Sequence, residues 1–502
     1  MKILMVHPHD LFSNSEPWTI RIKKIASQFK EKGHSVKLVY FPLNSRDANR
    51  QFFSQGIEII ALDRRLGAGR LFSNIARMIK LGRWSDVIHF QKCYYYVVLP
   101  ALIASWVNNK PVHYDWDDSE TRIFYYSNPD QFVIGEFLNI FEKLIPNAVD
   151  TISVSSDSLR KMCLARGVDN QAIVSAHVGA DLDHFNPNLN SSGKIKEKYG
   201  VKGELVLYVG QLHGGQYAEL FIKAASRIIK ENNRDVHFMI VGDGYRLKEL
   251  KILASVLAAA DRFIFTGFVA HEEVPFYIND ADICVACFED NAITRCKSPL
   301  KITEYLASGK AIVASNVGEV RRMVGGVGVL TCPGQEDSLA EGIKLLLNDK
   351  LLRDRLGAYA RKRAEEKYNW AVTAENILRA YQTTLTDNYG RNNFAQEKEE
   401  VDMVDSGKSG KTDQEFDILT ARVVSVTSHK DAPYTVEAKI KKFFGQFPAA
   451  FTVDPRCSFY KDDREPKTIN VIKPGDIVEV TYLVHEGIKV AFNFVVKPKK
   501  AL

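Results

Sequence analysis

Short apolar runs alternate along this chain with longer stretches in which apolar residues return at every third or fourth position. The short runs read as strands: KILMVHP, SVKLVYF, IEIIAL, DVIHFQ, PVHYDW and TISVSS. The longer ones, such as TIRIKKIASQFKEKG, read as amphipathic helices. Strands separated by helices of this length need crossover connections, which predicts a parallel sheet covered on both faces. Near residue 200, after NPNLNSSGKIKEKYG, the pattern restarts with ELVLYVG, VHFMIVGDG, RFIFTG, ADICVACF, KAIVASN and GVGVLT. The helical stretches DSLAEGIKLLLND, LLRDRLGAYARKRAEEKY and WAVTAENILRAYQTTL close that second unit. The predicted fold is therefore α/β, with two doubly wound, Rossmann-like domains facing a cleft at the carboxyl ends of their strands.

The expected boundaries are residues 1–190, completed by a closing helix at about 370–386, and residues 191–386. Past residue 386 the sequence turns polar, and residues 387–415 read as a flexible linker. Residues 416–502 change character again, with β-rich runs such as FDILTARVVSVTS, TINVI and KVAFNFVVK between turn signals. They predict a small all-β domain, a barrel on the OB or SH3 scale.

Composition narrows the function classes. At 502 residues the chain exceeds a single ordinary core. A net charge of +6 suits anionic small ligands or an acidic membrane surface and is too small to indicate nucleic acid. Seven cysteines, an odd number thinly spread, do not form a disulfide framework and point to a reducing compartment. The pair Cys284 and Cys287 lies in an apolar run, where residues three apart on a strand face opposite ways, so a core role is expected. The apolar run at the N-terminus is too short for a secretory signal, and no stretch reaches the roughly 18 apolar residues of a membrane span. The expected location is cytoplasmic, with peripheral contact at the inner membrane face left open.

Several segments carry candidate chemistry. LYVGQLHGGQYAELFIKAA places a strand, a turn with Gly210, Gly214 and Gly215, and then a helix, a geometry open to phosphate or to a plain tight turn. IVGDG, with Gly242 and Gly244, is a second such turn. FTGFV offers Phe268 and Val269 to a planar base. In SPLKITEYLASGKAIVAS, the amides of Leu300 and Lys301 open a helix at its positive end, Pro299 stiffens the turn, and Lys301 adds a mobile cation. Glu304 then reads either as a chelator of vicinal hydroxyls or as a capping-box acid near Ser298.

Taken in order, EKGHSVKLV, DVIHFQ, TISVSSDSLRKM, VGADLDHFNP, YVGQL, FMIVGDG, FTGFVAHEEVPFYINDADICV and SPLKITEYLASGKAIVASNVGE resemble glycosyltransferase family 4, of the GT-B fold, over roughly residues 1–385. The resemblance implies a UDP- or GDP-sugar donor held mainly by the second domain, an acceptor held by the first, retention at the anomeric carbon, and no cofactor or required metal. It implies that Glu304 binds the donor ribose, and that Ser298, Pro299, Leu300 and Lys301 hold the diphosphate. Gly210, Gln211 and Gly242 would line the donor site, with Phe268 and Val269 at the base. Asp117, in YDWDD, stands where many members carry a histidine near the transferred sugar; with Asp115 and Lys301 it is a catalytic candidate, and the D-x-D it forms with Asp115 has a metal pair as its rival reading.

The departures are specific. Eight residues before Glu304, where the family has its first glutamate, stands Cys296; the sugar contact would then come from elsewhere, such as Glu289 or Asp290. Gln211 replaces a diphosphate-binding arginine, and the partner lysine falls near Tyr217. Arg295, Lys297 and Lys301 remain as cations able to offset leaving-group charge. HDLFSNSEPWTI replaces the glycine pair of the N-terminal domain.

RRLGAGRLFSNIARMIKLGRW, residues 64–84, is either a basic helix resting on anionic lipid or a surface helix packing its apolar stripe on the sheet. The leading expectation is a glycosyltransferase acting on a nucleotide-sugar and a glycan or lipid-linked acceptor in surface polysaccharide or glycoconjugate synthesis. A nucleotide-sugar epimerase and a non-catalytic nucleotide- or glycan-binding scaffold are the alternatives. Partner binding, acceptor positioning or carbohydrate binding all suit the tail, and nucleic acid is not expected.

Overall fold

A computed structural model describes residues 1–13, 19–128, 130–189, 193–213, 217–231, 235–257 and 259–386, together with the backbone of five tail strands. The predicted linker, the run TINVI and the glycines at 214 and 215 lie outside the described residues. The first half contains β1 (Lys2–Val6), β2 (Ser35–Tyr40), β3 (Gln51–Ser54), β4 (Ile57–Ala61), β5 (Val87–Gln91), β6 (Val112–Trp116), β7 (Thr151–Val154) and β8 (Ile173–Ser175). They form one sheet in the order β3-β4-β2-β1-β5-β6-β7-β8. Only β3 runs antiparallel, as a hairpin with β4 at the sheet edge.

The second half contains β9 (Glu204–Val209), β10 (Val236–Val241), β11 (Phe263–Gly267), β12 (Ile283–Ala286), β13 (Ala311–Ser315) and β14 (Val329–Thr331), ordered β11-β10-β9-β12-β13-β14. Each sheet reverses its order once, between β1 and β5 and between β9 and β12, and the crevice for a ligand opens at such a reversal. Helices cover the sheets with the expected stripes: helix Ile20–Glu31 buries Ile22, Ile25, Ala26 and Phe29. Helix Trp370–Thr386 crosses back to the first sheet, where Trp370, Ala374, Ile377, Leu378 and Tyr381 share a core with Ile22, Ile25 and Phe29. Helix Ala68–Trp84 buries Asn74, Met78 and Gly82 while Phe72 stays 69% exposed, so only part of its apolar stripe packs inward.

In the tail, β15 (Asp417–His429), β16 (Ala432–Lys442), β17 (Gly445–Lys461), β18 (Ile477–His485) and β19 (Ile488–Val496) close into a barrel in the order β15-β16-β17-β19-β18. β17 and β19 pair in parallel, and every other pairing is antiparallel.

The central strands of the first sheet are buried along their whole length, so their polar residues need internal partners. His113 lies 2.9 Å from both Thr151 Oγ1 and Ser153 Oγ, and His89 Nδ1 lies 2.6 Å from Tyr381 Oη. Burial pushes the His89 pKa down to about 4 and keeps that ring neutral. Asp115 is wholly buried, yet burial is overcome by the charge and hydrogen bonds of Arg21, which hold its pKa well below the carboxylate range. Arg21 Nε and Nη2 donate to the two Asp115 oxygens at 2.8 and 2.7 Å, and Nη2 also reaches the Ala176 carbonyl at 2.9 Å.

Replacing Arg21 by Met should cost about 3–5 kcal/mol, because a buried carboxylate then loses its counter-charge. The urea midpoint reads this loss, and the double variant R21M/D115L should recover most of it. Because the Asp115 pKa is depressed in the folded chain, the pair's contribution is present above about pH 4 and fades as pH falls further.

Candidate active site

The floor of the second crevice is built from glycines at the ends of adjacent strands. Gly210 and Gly242 adopt φ of +153° and +145°. Gly210 N donates to Val241 O at 2.9 Å and Gly242 N to Gly267 O at 3.1 Å. A Cβ on Gly242 would lie 1.9 Å from the Gly210 carbonyl oxygen, and one on Gly210 would lie 2.6 Å from Lys301 Nζ. Only glycine permits this approach at either position. Gln211 follows, half-buried, at the mouth of the turn.

Helix Leu300–Ala307 sits against this floor, begun by Pro299 at its N-cap. Tyr305 fixes it at the switch point, accepting from Val209 N at 2.9 Å and donating to Val285 O at 3.4 Å. Its first amides, at Leu300 and Lys301, have no intrahelical acceptor by helix geometry and lie at the positive end of its dipole. Lys301 is not the mobile cation expected. Its Nζ is enclosed 4.0 Å from the centroid of the Tyr208 ring, without a hydrogen-bond partner. Burial pushes its pKa down to about 8, with Lys297 acting the same way and Cys287 and Glu304 opposing. Ser298, three residues away, is also buried with its hydroxyl unpartnered.

Glu304 is buried one turn along, with Oε1 2.8 Å from His271 Nε2. His271 is contributed by the loop after β11, which also presents Phe268, 69% exposed, and the partly buried Val269. Burial opposes a charge on His271, but the hydrogen bond and charge of Glu304 prevail and raise its pKa above the ordinary value. The sequence reading passed over this histidine although it lies inside FTGFVAHEE. Arg295 is not a free cation either: its Nε and Nη2 donate to the Asp290 carboxylate at 2.6 and 3.0 Å. That pairing also occupies Asp290, one of the two acids expected to reach the sugar, and leaves Glu289 exposed.

On the other side of the cleft, β5 and β6 deliver a charged network to their carboxyl ends. Lys92, in a left-handed conformation at φ +68°, donates to Asp117 Oδ1 at 3.2 Å and also to Glu120 Oε1. Gln91 Nε2 bridges Asp115 and Asp117 at 3.1 and 3.2 Å. Burial, with Asp115 and Glu120 nearby, raises the Asp117 pKa against the pull of Lys92. Asp115 cannot serve as the catalytic group expected of it, because it is sealed from the cleft by its pairing with Arg21, Ser153 and Gln91. Lys92 and Glu120 escaped the sequence reading; the only signal was a lysine directly after a strand at the switch point.

The halves also touch. Arg122 Nη1 donates to Ala292 O at 3.1 Å and lies 3.0 Å from Cys296 Sγ, and Arg322 pairs with Asp157 at 3.0 Å. A helix end with free amides and an acid one turn on thus faces an acidic and basic cluster across the cleft.

Residues 192–363 match the family model described as glycosyl transferases group 1. The matched residues take in the second sheet and helix Leu300–Ala307. Alpha-D-kanosaminyltransferase of Streptomyces kanamyceticus is 28% identical over 38% of this chain, and the match spans 48% of that protein, about half its length. Phosphatidyl-myo-inositol mannosyltransferase of Mycobacterium tuberculosis strain H37Rv is 25% identical over 76% of this chain and 97% of its own. Among solved structures, Anabaena Alr3699/HepE in complex with UDP and glucose shares the fold at a TM-score of 0.60 and 18% identity, covering 76% of this chain and all of that one. WaaG, a glycosyltransferase involved in lipopolysaccharide biosynthesis, aligns at a TM-score of 0.56 and 14% identity over 77% of this chain. The two-sheet GT-B architecture is thus shared, and the residues matched by the family model include Ser298, Lys301 and Glu304.

Burial, which pushes the Lys301 pKa down to about 8, gives this site a pH signature. The positive charge on Lys301 is complete below that pH and lost above it, so affinity for a nucleoside diphosphate should hold to about pH 8. Above it the affinity should fall by up to about tenfold per pH unit. Lys301→Gln should bind more weakly and show no such fall; calorimetry across pH 6.5–9.5 checks both.

Proposed function

We propose that this chain is a retaining glycosyltransferase of family 4 that moves a sugar from a UDP- or GDP-sugar to a glycan or lipid-linked acceptor, without a required metal. The observation that carries this reading is the pair of buried, unpartnered groups, Lys301 Nζ and Ser298 Oγ, at the amide end of helix Leu300–Ala307 with Glu304 one turn on. In this reading the diphosphate rests on the Leu300 and Lys301 amides and on Lys301, and Glu304, oriented by His271, accepts from the two ribose hydroxyls. Phe268 offers its exposed ring to the base. The bond between the anomeric carbon and the diphosphate oxygen breaks, and negative charge grows on that oxygen. Preorganised amides and an ammonium in a nearly dry site stabilise it better than water does. The acceptor oxygen bonds to the anomeric carbon on the face being vacated, and its proton passes to the departing phosphate. Asp117, held by Lys92, contacts the transferred sugar from the first half.

For the acceptor, a lipid-linked molecule is supported by helix Phe132–Leu144. It buries Gly135, Leu138 and Glu142 and exposes Phe132, Val133, Ile134, Phe137, Ile140 and Leu144. Six large apolar side chains exposed along one helix exceed the singly scattered apolar residues normal for a soluble surface. Tyr95 touches Phe137, at 6.0 Å between ring centroids, and also lines a cavity of about 180 Å³ with Arg65 and Leu71. Among the described residues no helix is long and apolar enough to cross a membrane, so the contact proposed is peripheral, and the product would enter a surface polysaccharide or glycoconjugate. The tail barrel is read as OB-type. What supports this is its first-second-third-fifth-fourth strand order with the third and fifth parallel. An acceptor-positioning or protein-interaction module is its proposed use.

Incubated with a panel of UDP- and GDP-sugars and lipid-linked or glycan acceptors, the protein should release nucleoside diphosphate, with the product's anomeric configuration, read by NMR, that of the donor. Glu304→Gln should lower kcat/KM by about 10- to 100-fold, the worth of a lost charge-assisted hydrogen bond. No release with any pair would overturn the transferase reading: an interconverted nucleotide-sugar would indicate an epimerase, and binding without turnover a scaffold. The double variant V133S/F137S should reduce sedimentation with vesicles containing anionic lipid by about tenfold.

A further inference from the structure

Position 296 has no carboxylate, only a buried thiol. Cys296 is buried in the apolar core of the first half and lies against the Arg122 guanidinium. That contact brings helix Glu120–Ser127, which follows the turn after β6, against helix Ala292–Cys296, the segment leading into the proposed diphosphate loop. The turn and the end of β6 carry three aspartates. Asp115 is committed to Arg21, and Asp117 to Lys92 and Gln91. Asp118 is half-buried, and among the described residues no hydrogen bond or ion pair holds its carboxyl. It lies close enough to both Cys296 and Lys297 for their charges to act on one another. Beside Lys297, Ser298 keeps a buried hydroxyl without a partner.

We propose that Asp118 is a specificity-determining residue that accepts hydrogen bonds from hydroxyls of the donor sugar, supplying across the cleft the carboxylate that position 296 lacks. This rests on the glycosyltransferase reading above. A nucleotide-sugar joins its sugar directly to the diphosphate, so a diphosphate on the Leu300 and Lys301 amides sets the sugar beside Lys297, Ser298 and the turn that faces them. Burial and the adjacent Asp117 push the Asp118 pKa up to about 7, with Glu120 adding to the rise and Lys92 and Lys297 opposing it. The carboxyl therefore gains accepting power as pH rises through neutrality.

The test compares two affinities of one protein by calorimetry: UDP against UDP-glucose and UDP-N-acetylglucosamine, and GDP against GDP-mannose. Between pH 6 and pH 8 the parent's affinity for the nucleotide-sugar should rise relative to that of Asp118→Asn. Asp118→Asn, which keeps the side chain's shape, should bind the nucleoside diphosphate as the parent does. It should lose about 10- to 100-fold in affinity for the sugar-bearing ligand at pH 8, and that loss relative to the parent should shrink toward pH 6. Asp118→Glu should restore part of the loss. A D118N protein with the parent's ratio and pH profile would overturn the proposal while leaving the glycosyltransferase reading intact. A parent chain that binds no nucleoside diphosphate would overturn both.

Discussion

An ammonium group enclosed on an aromatic ring sets the geometry of the candidate site. Lys301 Nζ rests on Tyr208 and presses toward Gly210, whose carbonyl in turn abuts Gly242. Each of these approaches requires the absence of a side chain on the next strand end, so the cation, the two glycines and the register of β9 with β10 form one interlocked unit. Holding the amine dry lowers its pKa and leaves it unsatisfied, which disfavours the empty site. An anion at that place relieves the cost twice, by pairing the charge and by using the helix amides beside it.

The first half solves a different electrostatic problem. Five ionisable side chains (Arg21, Lys92, Asp115, Asp117 and Glu120) meet at the ends of β5 and β6, where little water remains to solvate them. They divide into an Arg21–Asp115 pair that ties helix Ile20–Glu31 to β6 and a Lys92-centred cluster nearer the cleft. Gln91 joins the two. The division explains how neighbouring aspartates in a single YDWDD run take unlike roles: one is sealed into the scaffold while the others stand at the cleft.

How much of this was legible follows from where the partners lie. Parallel strands buried on both faces are written as unbroken apolar runs, and these stood out in the sequence. β3 and β8 did not, the one because it is a short edge hairpin, QFFS, and the other because it has only three residues, IVS. The loop Ser298–Lys301 and Glu304 were legible because a turn and a helix start are local events. His271 was not, since its meaning depends on a carboxylate 33 residues away. Lys92 depends in the same way on Asp117, 25 residues distant. The pairing of Arg295 with Asp290, five residues earlier, is likewise not revealed by composition.

The chain crosses between its halves twice, and at the crossing the two passing segments pair, with Ala180 N donating to Tyr368 O at 2.9 Å and Trp370 N to Ala180 O at 3.3 Å. Topologically the second sheet is inserted between the first sheet and the helix that completes its core. His89 meets Tyr381 across a separation of 292 residues, so the sheet that leaves the ribosome first lacks part of its core until nearly the whole α/β body has emerged. The half that is synthesised first is the half that finishes folding last, and until then it must hold an open apolar face in check.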